Sequence, residues 1–162
     1  MLELLLVMTL LGIFLGVAYE SVIVGLRTVN AADERETVRQ QLAAASDRLT
    51  RELDLASAVT TAQDQDVLFN ADLDGDGTAE TNIEYRLQNA TLQRLYGGTT
   101  LTLAAGVTAF DLDYTDLNGT SLSAPVTGAL LHNIRVAQIT VTATKDNETL
   151  ALASAAYLRN NQ

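Results

Sequence analysis

The apolar run near the start of the chain limits the possible folds more than any other feature. Residues Leu4 to Tyr19 read LLLVMTLLGIFLGVAY, and only Thr9 and the Tyr19 hydroxyl interrupt the hydrocarbon character. Glu20 breaks the run, and Val22, Ile23, Val24 and Leu26 resume it. A helix from Leu4 to Leu26 would cover roughly 34 Å, enough to cross a bilayer core. A cleaved secretory signal is the rival reading, but the segment shows neither a basic start nor a clear small-x-small cleavage site. The first cation is Arg27, beyond the run, so the positive-inside rule orients the helix poorly. A basic leader removed before maturation is the simplest remedy.

Two further features mark this segment. Glu3 stands at its start, where a helix dipole favours a carboxylate. At the membrane centre the same acid would cost up to roughly 2.5–3.5 kcal/mol, so a cationic partner from a neighbouring chain is the functional alternative to a plain interfacial acid. Gly12 and Gly16 form a small-xxx-small pair. They fit either a flexible point in the helix or a close helix–helix contact.

The helical pattern continues past the apolar run. Val38, Leu42, Ala45, Leu49, Leu53 and Ala56 recur at steps of three and four, one stripe of an amphipathic helix, with Arg35, Glu36, Arg39, Asp47, Arg48, Arg51 and Glu52 between them. No proline precedes Pro125. These features predict one nearly continuous helix from Leu2 to about Val59. Beyond it the period changes to two. Val67, Phe69 and Ala71 alternate with polar residues, as do Ile83, Tyr85 and Leu87, then Phe110, Leu112 and Tyr114, then Ile139, Val141 and Ala143. Leu150, Leu152 and the stretch to Tyr157 complete the set. Turn signals separate the runs at Asp74-Gly75-Asp76-Gly77, Gly97-Gly98, Asn118-Gly119 and Lys145-Asp146-Asn147. Ile134 and Val136 are out of phase with Ile139 and Val141, which predicts a bulge near Ala137-Gln138. The expected fold is α+β: a long N-terminal helix, half membrane or filament core and half amphipathic, packed on an antiparallel β-sheet head. The expected divisions are residues 1–27, 28–60 and 61–162.

The run from Met1 to Ile13, MLELLLVMTLLGI, resembles the N-terminal motif of type IV pilins and type II secretion pseudopilins. The head, with its acidic hairpin, short strands and Leu158-Arg159-Asn160 ending, loosely resembles PilW-like minor pilins and J-type pseudopilins. The first resemblance implies that Glu3 pairs with the free N-terminal amine of another subunit during assembly. Here only Met1 and Leu2 precede Glu3, where the family has four residues. The resemblance also implies a non-catalytic subunit. It would enter the bacterial inner membrane as a single-pass precursor with its head outside the cytoplasm, and then join copies of itself or other pilins in an extracellular or periplasmic filament. The alternative is a membrane-anchored calcium-dependent adhesion or binding module that does not polymerise.

The sharpest chemical motif is Asp72-Leu73-Asp74-Gly75-Asp76-Gly77-Thr78-Ala79-Glu80. Its acids and glycine match the first part of an EF-hand-type loop, with Asp72, Asp74, Asp76 and Glu80 as carboxylate ligands for Ca2+ and Thr78 offering its carbonyl. Ile83 stands where the bidentate acid of an EF-hand would be, and the flanks read as strands. The competing reading is a solvated hairpin turn, because Asp and Gly dominate turns.

The remaining composition mostly excludes. The net charge of −10 argues against a general nucleic-acid partner. The absence of cysteine removes disulfides, thiolate metal sites and a cysteine nucleophile. His132 is the sole histidine, and Asp111 with Asp113 reads as a polar outer strand face rather than a catalytic pair.

Overall fold

The computed structural model describes residues 2–145 and 148–158, without the side chains of residues 2, 4, 5 and 30–32. Met1, Asp146, Asn147, Arg159 and Asn160, which enter the motif, turn and ending read above, lie outside the described residues. A single helix, α1, spans Leu2–Asp54. By packing, the chain forms two compact units, one ending at Thr37 and one beginning at Val38.

The first unit is helix alone. Many of its apolar side chains, among them Leu6, Leu10, Ile13, Phe14 and Val17, are exposed. Its hydroxyls turn inward to the backbone: Thr9 donates to the Leu6 carbonyl, Ser21 to that of Val17 and Thr28 to that of Val24, each at 2.9 Å. These bonds leave fewer polar atoms needing water, which suits a helix bounded by hydrocarbon.

The second unit contains the rest of α1 and two antiparallel sheets. Strands β1 (Ala56–Ala62), β2 (Asp66–Ala71), β3 (Glu80–Gln88), β4 (Thr91–Tyr96) and β5 (Thr99–Ala105) form a meander in sequence order. Strands β6 (Val107–Thr115), β7 (Ser121–Leu122), β8 (Val136–Lys145) and β9 (Glu148–Tyr157) form the second sheet in the order β7-β6-β8-β9. The chain passes from one sheet to the other at Gly106, whose φ of 72° lies in the left-handed region that glycine enters without steric cost. A 3-10 helix at Gly128–Asn133 connects β7 to β8.

The long helix and antiparallel head agree with the expected α+β class. The amphipathic stripe is also where the spacing put it: Leu42, Ala45, Leu49 and Leu53 are buried, and Val38 packs partly buried against them. They share one core with Val67, Phe69, Ile83, Tyr85 and Leu92 of the first sheet and Phe110, Leu112, Tyr114, Ile139 and Val141 of the second. Burying Leu49 or Leu53 contributes about 1.5–3 kcal/mol each.

Three expectations need correction. The helix ends at Asp54, not near Val59, and Ala56 is buried from strand β1. Val59, Thr60 and Thr61 are β-branched and stiff at χ1, and pairing such as Val59 opposite Phe69 rewards the extended form. The expected bulge at Ala137-Gln138 is absent: β8 pairs without a shift there against both β6 and β9. Ile134 is buried from the segment before β8, so its phase is independent of the strand. Finally, Glu52 belongs to the buried face of α1, not the polar one.

Candidate functional site

Glu3 lies in the first turn of α1 and is exposed. Gly12 and Gly16 are also exposed, and a Cβ added at either would meet nothing within 4 Å. Among the described residues, nothing packs on Gly12 or Gly16 closely enough to require glycine there. The helix bearing them is long and apolar enough to cross a membrane. An 18-residue window within Leu6–Asp54 reaches a mean hydropathy of 2.0, and none of that window is buried.

The acidic loop joins β2 to β3. Its carboxylates first organise the loop's own backbone. Asp72 accepts the Gly75 and Gly77 amides at 2.8 and 2.9 Å, one on each oxygen. Asp74 accepts the Asp76 amide at 3.1 Å, and Asp76 accepts the Thr78 amide at 2.7 Å. Glu80, at the start of β3, reaches back to the Leu73 amide at 2.7 Å. Gly75 and Gly77 have φ of 78° and 86°, which lets the chain curl around these acceptors.

The result is a convergent trio. Asp72, Asp74 and Glu80 can each present a carboxylate oxygen with all three atoms within 4.8 Å of one another. Asp76, expected as a fourth ligand, is not in this trio, and its carboxylate serves the turn through the Thr78 amide. Hard cations such as Ca2+ take clustered carboxylate oxygens of this kind, with water or backbone carbonyls filling the rest of the shell. Ile83 is buried in the core and Glu84 pairs with Arg86 at 3.1 Å, so neither completes the loop.

A buried polar cluster escaped the sequence reading. Glu52 on α1 receives Arg94 of β4 at 2.8 Å and Arg48, one turn earlier on α1, at 2.9 Å. The side chains of Arg94 and Glu52 are only 9% and 10% exposed. The buried Tyr85 hydroxyl faces the same cluster, and burial, reinforced by Glu52, pushes its pKa up. The bond to Glu52 raises the pKa of Arg48 against the opposing effect of burial. Arg94 also lies over the Tyr96 ring, 5.3 Å from its centroid. A clue existed in the sequence: Glu52 precedes Leu53 within the helical stripe, but spacing alone does not say which charged neighbour falls inside. This cluster fixes α1 on the first sheet. On the second sheet, Ser46 and Thr50 meet the Ser154 hydroxyl of β9 at 2.8 and 3.1 Å.

His132, on the 3-10 helix, is exposed, as are Asp111 and Asp113 on the outer face of β6. No protein-family model matches the chain, and no curated protein matches it.

Proposed function

We propose that the protein is a structural filament subunit of the type IV pilin or type II secretion pseudopilin kind, held in a bacterial inner membrane by the apolar part of α1 before assembly. One observation carries this reading: an apolar helical segment, unburied among the described residues, is covalently continuous with the helix that anchors a folded β head. A bilayer can cover the segment in a single chain, and copies of the same helix can cover it in a bundle. Head-bearing subunits joined through such a bundle make a filament. The mechanism is assembly rather than catalysis. Glu3 meets the N-terminal amine of a neighbour, and Gly12 and Gly16 allow helices to approach closely.

Negative-stain microscopy of material sheared from expressing cells tests the proposal. Filaments that label with antibody to the head support it, and a chain that stays wholly in the membrane fraction as monomer refutes it.

The convergence of Asp72, Asp74 and Glu80 favours a second reading: the head also binds Ca2+, either within a filament or as a monomeric anchored binding module. Melting of the protein with calcium, magnesium or chelator separates this from a plain turn.

A further inference from the structure

We propose that neighbouring heads join by strand addition, with the free edge of β5 in one copy pairing with the free edge of β9 in the next. The proposal rests on the filament reading for its partner, a second copy of this chain, and adds a head-to-head contact that α1 does not supply.

Two sheets have four edges, and the chain treats them unequally. β1 is interrupted by register shifts at Ala56/Ala58 and Val59/Thr61, and the Val126 amide bonds the Ala62 carbonyl at 2.9 Å on its outer side. β7 is two residues long. Bulged, covered or very short edges of this kind resist pairing with other chains. β5 and β9 are less protected: β5 has one register shift, at Leu103, and pairs regularly from Thr99 to Thr102, and β9 pairs with no shift. β5 is seven residues long, reads TTLTLAA, and pairs only with β4 among the described strands. β9 pairs with β8 through ten unshifted positions and carries no charge from Thr149 to Tyr157. Its outer edge is engaged at one end, where the Tyr157 amide donates to the Asp54 carboxylate at 2.7 Å. Edge strands without charge, proline or cover are templates for a further strand.

Charge and symmetry select the occupant. A chain of net charge −10 repels its own copies, so copies meet with least penalty along uncharged stretches, such as Thr99–Ala105 of β5 and residues 149–156 of β9. An open filament needs a heterologous contact, in which two different patches of the same chain meet. One open edge on each sheet meets that condition, whereas a single open edge would give only a closed pair.

The chain has no cysteine, so disulfide trapping is unambiguous. Thr100 and Thr102 of β5 and Ala151, Ala153 and Ala155 of β9 are exposed. Full-length chains carrying Thr102→Cys or Ala153→Cys are expressed separately, together, and as the double variant, then oxidised in membranes and in sheared filaments. Thr100→Cys, Ala151→Cys and Ala155→Cys cover the neighbouring registers. The expected result is a dimer only where both kinds of cysteine are present, and from the double variant a covalent ladder extending beyond the dimer. Dimers from either single variant alone would show like-with-like pairing and overturn the proposal. Filaments without a ladder in any register would overturn it while leaving the filament reading intact. A ladder without filaments would retain edge pairing and overturn the filament reading. Melting temperatures within a few degrees of the parent establish that each variant is folded.

Discussion

Ala90 adopts a φ of 55° beside Asn89 at 51°, forming the two-residue turn between Gln88 and Thr91. Both central residues of such a turn need the left-handed region, which suits asparagine and glycine but costs alanine about 1–2 kcal/mol. Ala90→Gly is therefore expected to stabilise the head by about 0.5–1 kcal/mol, after allowing for the greater freedom of glycine in the unfolded chain. Chemical denaturation checks it, and an unchanged midpoint would mean the strain is relieved elsewhere. The Glu52 cluster gives a second test. Removing Arg94 leaves the buried Glu52 carboxylate with Arg48 as its cationic partner, and the expected loss from Arg94→Ala is about 3 kcal/mol, the low end for breaking a buried pair. The double change Glu52→Leu with Arg94→Leu should cost less than the single one, because no charge is left buried; a larger loss would contradict this account. Asp116 offers a pH test. Its Oδ1 accepts the Asn118 and Thr120 amides at 2.8 Å each, and the Thr120 bond foremost lowers its pKa. The stabilisation is present at neutral pH and is lost as the pH falls through the lowered value. Asp116→Ala should therefore destabilise the head at pH 7 and flatten its acid dependence below pH 4.

At the level of elements, the strands most readable from sequence were those with buried residues at alternate positions on a half-solvated sheet. Val67, Phe69 and Ala71, or Phe110, Leu112 and Tyr114, signal their strands because water covers the other face. β5 gave no such signal, since its residues from Thr99 to Thr102 are all exposed and burial never imposed an alternation on them. The division of the strands into two sheets was also not legible, because pairing β8 between β6 and β9 depends on long-range contact. The acidic loop was legible as a motif, whereas its geometry was not: spacing nominated four carboxylates, and the fold brings three together. For this element calcium should raise the melting temperature of the parent and do less for Asp74→Asn, with magnesium weaker in both because it demands tighter octahedral geometry. At a hundredfold excess over its dissociation constant, calcium would add about 2.7 kcal/mol. Equal shifts in parent and variant would indicate screening of the net negative charge instead.

For the whole molecule, the separation of an exposed apolar helix from a self-contained head predicts two behaviours. A chain beginning near Asn30 retains Leu42, Ala45, Leu49 and Leu53 with every strand, and should be soluble and unfold cooperatively. Aggregation of that chain would show that the head depends on neighbours. Glu3→Ala should leave the full protein inserted in the membrane while lowering its recovery in filaments, measured by immunoblot of sheared and membrane fractions. Equal recovery from the variant would remove Glu3 from assembly.

The tie between α1 and β9 has a mechanical consequence. Ser46 and Thr50 meet Ser154, and eight residues after Ser46 Asp54 holds Tyr157, so helix and last strand advance in the same direction. A pull along the helix at this seam is thus directed along β9. Where the opposite end of the head is held through β8, the ten paired positions joining β9 to β8 bear the load together in shear, instead of parting one after another. The head should yield at a higher force when drawn by its helix than when the end of β9 is peeled sideways from β8.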